Sequence, residues 1–138
     1  MRHYAIFFVI LLLVNVRPIN AQSDPKLVTT AEGLKEYELD NGLRILLIPD
    51  ASQTNIAVNI VYKVGSRHEG YGETGMAHLI EHMLFKQCGK FTDIKKAIAD
   101  KGASANGTTW YDRTNYYEIL SASDENLSWA IDMEADRM

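Results

Sequence analysis

The sequence predicts an α+β fold: a mostly antiparallel sheet with helices packed on one face. Three observations predict it. An Asn41-Gly42 pair stands between two apolar runs. Residues 56–64 alternate strictly between two sides. Three helix-like segments are interleaved with the strands.

Residues 37–39 and 43–48 flank Asp40-Asn41-Gly42 and read as a hairpin, because Asn-Gly tolerates the positive φ that a tight two-residue turn demands. Pro49-Asp50 closes it. In 56–64, Ile56, Val58, Ile60, Tyr62 and Val64 share one face, and Ala57, Asn59, Val61 and Lys63 the other. That period is a strand's. Residues 65–72 (GSRHEGYG) read as a loop. Residues 74–85 form a helix with Thr74 as N-cap. Residues 92–101 form a second, capped by Thr92 and closed by Gly102. Strands at 103–111 and 115–120 join around Asp112-Arg113, and a third helix covers 124–138.

A chain of 138 residues holds one domain at most. Its hydrophobic share of 46% and charged share of 23% are those of a globular protein. The N-terminus differs. A basic start, Met1-Arg2-His3, precedes an apolar run from Tyr4 to Val14, then a polar stretch ending on Ala21. This order reads as a secretory signal peptide over 1–21. The run is too short for a bilayer span, which needs roughly 20 residues, so no stable membrane anchor is expected. Residues 22–33 are polar and read as a linker to a domain over 34–138. Without 1–21 the formal charge changes from −4 to −6, through loss of Arg2 and Arg17. That acidity argues against nucleic acid as a partner. The single Cys88 leaves no internal disulfide framework and reads as a semi-buried thiol. The chain stops inside a helix without a capping Gly or Pro, which reads as truncation.

Residues 78–82 read His-Leu-Ile-Glu-His. On a helix, Met76, Leu79, Ile80, Met83 and Leu84 form an apolar stripe, and His78, Glu81 and His82 cluster opposite. Histidines four apart project to one point beside the helix, a geometry and a ligand type that suit zinc. Glu81 stands close enough to take a proton from a coordinated water, whose pKa zinc lowers to about 7, and to pass it to a leaving amine. Two surface histidines on an ordinary helix stay open as the alternative on these residues alone.

The flanking sequence resembles the inverzincin metallopeptidases, the pitrilysin, insulin-degrading enzyme and mitochondrial processing peptidase family, which carry H-x-x-E-H. The resemblance runs over roughly residues 34–138. It includes Asn41-Gly42-Leu43, Val64-Gly65-Ser66-Arg67 with Glu69, and Gly75 to Lys86. Downstream it includes Gly102, Asn106, Thr108, Asp112, Thr114, Tyr116 and Glu134 to Met138. It implies a zinc peptidase of the family's half-domain fold, most similar to bacterial periplasmic members. It also implies His78 and His82 as zinc ligands and Glu81 as base. An edge strand at Ala105 and Asn106 would bind an extended peptide or unfolded protein substrate. A second homologous half, on the same chain or a partner, would close the site.

The family's third ligand is a glutamate about 75 residues after the second histidine, and 56 residues follow His82 here. Glu118, Glu125 and Glu134 have no spacing that marks one as a substitute. A chain with two ligands is expected to bind zinc weakly and to cleave nothing. A non-catalytic scaffold subunit and a metal-binding module are the other readings of the pattern. Asn106-Gly107-Thr108 and Asn126-Leu127-Ser128 are formal glycosylation sequons; a glycan on Asn106 would block the substrate strand.

Overall fold

The computed structural model describes residues 24–138, so the signal peptide expected over 1–21 lies outside the described residues. The chain divides into two units, one up to Pro49 and one from Asp50 onward.

The described part of the first unit is an antiparallel sheet of β1 (Lys26–Ala31), β2 (Leu34–Glu38) and β3 (Arg44–Leu47), in that order. Strand β1 corrects the expectation of an irregular linker at 22–33. Its residues pair with β2 from Lys26↔Glu38 to Ala31↔Leu34. Val28, Thr29 and Thr30 are β-branched and fit a pleated surface whatever the polarity of their neighbours. Strands β2 and β3 are the expected hairpin, with register Lys35↔Leu47 to Glu38↔Arg44. The turn differs in type. Only Gly42 takes a positive φ, 85°. Its N–H donates to the Leu39 carbonyl at 2.9 Å, and the Leu39 N–H donates to the Leu43 carbonyl at 2.9 Å. This is a three-residue loop ending on a left-handed glycine. Asn41 serves through its side chain, whose Oδ1 accepts the Leu43 N–H at 3.0 Å.

The second unit holds a three-stranded antiparallel sheet in the order β4 (Asn55–Tyr62), β6 (Thr114–Ser121), β5 (Ser104–Thr109). The strands are therefore shared between two sheets rather than gathered in one. Helices α1 (Met76–Met83), α2 (Ile94–Asp100) and α3 (Asp124–Arg137) pack against the second sheet. Register runs Ile56↔Leu120 to Tyr62↔Thr114 between β4 and β6. Burial alternates along β4 as the sequence predicts and along β6, which buries Thr114, Tyr116, Glu118 and Leu120. Ile94, Ile98 and Met133 form the core between α2 and α3. Cys88, Phe91, Ala103, Ala105 and Trp129 pack around them. Burial pushes the Cys88 thiol pKa up, consistent with a structural role.

The cap of α2 sits one residue from where the sequence puts it. Helix α2 begins at Ile94, capped by Asp93, whose carboxylate accepts the Lys96 N–H at 2.9 Å. Thr92 precedes the cap. Gly102, at φ 63°, closes the helix as expected. Ser123 caps α3 by accepting the Asn126 N–H at 3.1 Å, with Asp124 and Glu125 in the first turn to complement the helix dipole.

Behind the core lies a buried ionic cluster. Arg137 stands 2.9 Å from Glu134 and 3.6 Å from Glu118, and its guanidinium lies 4.6 Å from the Tyr116 ring centroid. Two carboxyls thus share one cation. Burial, and then the adjacent Glu134, push Glu118 up to about 9, while Arg137 pulls it down. A carboxyl raised above its ordinary 4.5 binds its proton more tightly in the folded chain. Its stabilising contribution is complete below about pH 4.5 and is lost as pH rises through about 9. The urea midpoint of the chain should fall from pH 5 to pH 9. The Glu118→Gln variant should show a flatter profile, and identical profiles would contradict the assignment.

Candidate active site

The site is built on the segment between β4 and α1. Gly65 lies against the β5–β6 hairpin so tightly that a β-carbon there would stand 2.1 Å from the Trp110 carbonyl oxygen. The Ser66 N–H donates to that oxygen at 3.0 Å, and the Arg67 N–H to the Tyr111 carbonyl at 2.9 Å. The Thr114 hydroxyl donates to the Val64 carbonyl at 2.9 Å. The loop that delivers α1 is thus fastened to the hairpin.

Helix α1 begins at Met76, after Gly75 at φ 88°. Thr74 is therefore not its cap. Glu69 does that work from the preceding loop, accepting the Gly75 N–H at 2.8 Å and the Ala77 N–H at 2.9 Å. These bonds, Ala77's first, hold the Glu69 carboxyl below its ordinary range. An eight-residue helix has little stability of its own, so such tertiary ties are what keep it formed.

His78 and His82 converge. Their Nε2 atoms are 3.1 Å apart and their ring centroids 4.6 Å. Two nitrogens each about 2.05 Å from a tetrahedral zinc would be separated by roughly 3.3 Å. The pair therefore fits two corners of a zinc site. Among the described residues no third His, Cys, Asp or Glu joins them. Glu118 and Glu134 are committed to Arg137, and Glu125 is paired with Lys101 at 2.7 Å.

Glu81 is only 6% exposed. Its Oε2 accepts the Thr109 hydroxyl at 2.6 Å. Its stem lies on Gly107, where a β-carbon would meet Glu81 Cγ at 3.1 Å and Phe85 Cε2 at 3.0 Å. This corrects the picture of an apolar stripe facing the core with Glu81 opposite. Glu81 is the buried residue of α1, and Met76, Leu79, Ile80 and Met83 are about half exposed. A helical wheel separates the faces, but it does not say which one meets the sheet. The gap at Gly107 admits Glu81.

The sequence reading missed Gly107 and Thr109 as partners of Glu81. The signal was present: a glycine inside a strand marks close approach, and two residues on, Thr109 shares its face. Ala105 and Asn106 are separated by the strand's alternation. Ala105 packs against the Ile94–Met133 core, while Asn106 is exposed and its Oδ1 accepts the Gly107 N–H at 2.9 Å. Both lie on β5, which pairs with β6 on one side and with no described strand on the other.

The H-x-x-E-H helix thus stands on an α+β scaffold, and comparison with known proteins identifies the family of that scaffold. The profile of the insulinase family, peptidase family M16, matches residues 44–138, and the chain belongs to that family. The zinc protease PqqE of Helicobacter pylori is 36% identical over 106 residues, covering 72% of this chain and 23% of that protein. The crystal structure of the periplasmic protease PqqL from Escherichia coli superposes with TM-score 0.72 at 26% identity, covering 80% of this chain and 13% of that one. The structure of the first half of PqqL gives TM-score 0.72 at 27% identity, with 80% and 25% covered. The chain spans about a quarter or less of each of these proteins.

Removing the Thr109 hydroxyl should leave a buried carboxylate oxygen without its donor. Thr109→Val is expected to cost about 1–2 kcal/mol in chemical denaturation; wild-type stability would show that the contact contributes nothing.

Proposed function

We propose that this chain supplies the N-terminal part of the active site of a zinc metalloendopeptidase. His78 and His82 are ligands and Glu81 is the general base. The observation that carries this reading is the convergence of the two imidazoles beside a buried carboxylate that Thr109 holds in place. Zinc, when bound, supplies Lewis acidity that polarises the scissile carbonyl and lowers the pKa of water. Glu81 accepts the proton of the attacking water and delivers it to the departing amine. Thr109 occupies Oε2 and fixes the carboxylate plane, which leaves Oε1 for the proton. The substrate is an extended peptide that adds a strand to the free edge of β5, with Asn106 beside it on the exposed face.

The third ligand and a second family-type half complete the site, on the same polypeptide or on a partner. The existence of PqqL as a whole and as a first half supports this arrangement. The signal-like N-terminus and the periplasmic relative support export to a bacterial periplasm. No helix among the described residues is long and apolar enough to cross a membrane.

The complete protein carrying this chain should contain zinc by elemental analysis. Its Glu81→Gln variant should keep that zinc and lose about 10²–10⁴-fold in cleavage of an unstructured peptide. Unchanged cleavage would remove Glu81 as the base, and a zinc-free wild type would remove the metal site.

A further inference from the structure

The turn that follows β5 sets two aromatic residues on the same cleft as His78. Trp110 and Tyr111 are 60% and 64% exposed, and their rings meet edge to face at 5.3 Å and 72°. Large aromatic side chains carry much apolar area, and a contiguous pair left open to solvent points to a ligand surface. The backbone beneath them is fastened. Both carbonyls accept N–H groups from Ser66 and Arg67, and the Trp110 N–H donates to the Arg113 carbonyl at 2.8 Å. The rings are therefore held out by a fixed tip, not by a loose loop.

An open cleft of about 240 Å³ lies here, lined by Ser66, His78, Thr109, Trp110 and Tyr111. It has an aromatic wall of Trp110 and Tyr111, the two aliphatic hydroxyl residues Ser66 and Thr109, and one of the two proposed ligands, His78, as a side. That combination of concavity, apolar wall and few polar groups is the make-up of a small-group binding pocket. Thr109 connects it to Glu81 through the 2.6 Å hydrogen bond.

We infer that this cleft is a specificity pocket for one large apolar or aromatic side chain of the peptide, at a position flanking the scissile bond. Trp110 and Tyr111 are its selecting residues. The inference rests on the peptidase reading. A peptide strand on the free edge of β5 runs past Thr109 toward Trp110, and alternation sends every second side chain to the same face. The cleft has room for one such side chain. Its lining contains no carboxylate, ammonium or guanidinium, so a charged side chain finds no partner there.

The test uses the complete zinc-loaded protein and a pair of peptides differing only in Phe or Ala at each flanking position in turn. At one flank the wild type should prefer Phe by about tenfold or more in kcat/KM. Trp110→Ala and Tyr111→Ala should bring that Phe-to-Ala ratio toward one, and Trp110→Phe should restore most of it. A ratio unmoved by either alanine variant, or no preference at either flank, overturns the inference. Affinities of the same peptides for the Glu81→Gln protein, read by isothermal titration calorimetry, separate the two claims. Tighter binding of the Phe peptide with no cleavage by the Glu81-intact protein sinks the peptidase reading and leaves the pocket standing. Equal binding of both peptides sinks the pocket.

Discussion

The close approach of α1 to β5 at Gly107 is the contact on which the rest of the site depends. A β-carbon at that position would press on the Glu81 and Phe85 side chains at 3.0–3.2 Å, closer than ordinary contact. Without one, the helix settles low enough for a carboxylate to be buried on a strand. Burying a carboxylate is costly unless it is hydrogen-bonded, and the Thr109 hydroxyl meets that condition. Once Glu81 is fixed, helical geometry fixes His78 and His82 beside it, one turn apart and turned toward each other. The position of the proposed base and the convergence of the proposed ligands are therefore one structural fact.

The same strand serves both sides of the chemistry. Its inner face carries Ala105, Gly107 and Thr109, which join the core and orient Glu81. Its outer edge pairs with no described strand and is where the proposed peptide backbone would pair. Beyond Thr109 the chain passes directly into Trp110 and Tyr111, and the Gly65–Arg67 segment locks that tip to the loop leading into α1. The contacts of the proposed base, the proposed substrate edge and the aromatic wall thus lie on one short stretch, 105–111.

Much of this was legible in the sequence. The alternation of β4 is written in Ile56, Val58, Ile60 and Tyr62, and the His78–His82 spacing fixes a shared projection on any helix. What was not legible has physical causes. Strand β1 hides in a polar segment because its stability comes from pairing with β2, not from an amphipathic pattern. The cap of α1 was misread because Glu69 reaches it from six and eight residues upstream, outside the local rule that favours Thr74. The burial of Glu81 was missed because a lone segment does not reveal its neighbour. Only Gly107, read as a missing side chain, would have announced it. The sheets were counted as one because the sequence specifies strands more strongly than their partners.

In the proposed site both imidazoles bind one metal while Glu81, tied to Thr109, stays off it. X-ray absorption at the zinc edge of the complete loaded protein tests this most directly. Two imidazole scatterers are expected at about 2.0–2.1 Å, with one of them lost in His82→Ala and both kept in Glu81→Gln. A zinc with one imidazole or none, or a metal shell altered by Glu81→Gln, would contradict it.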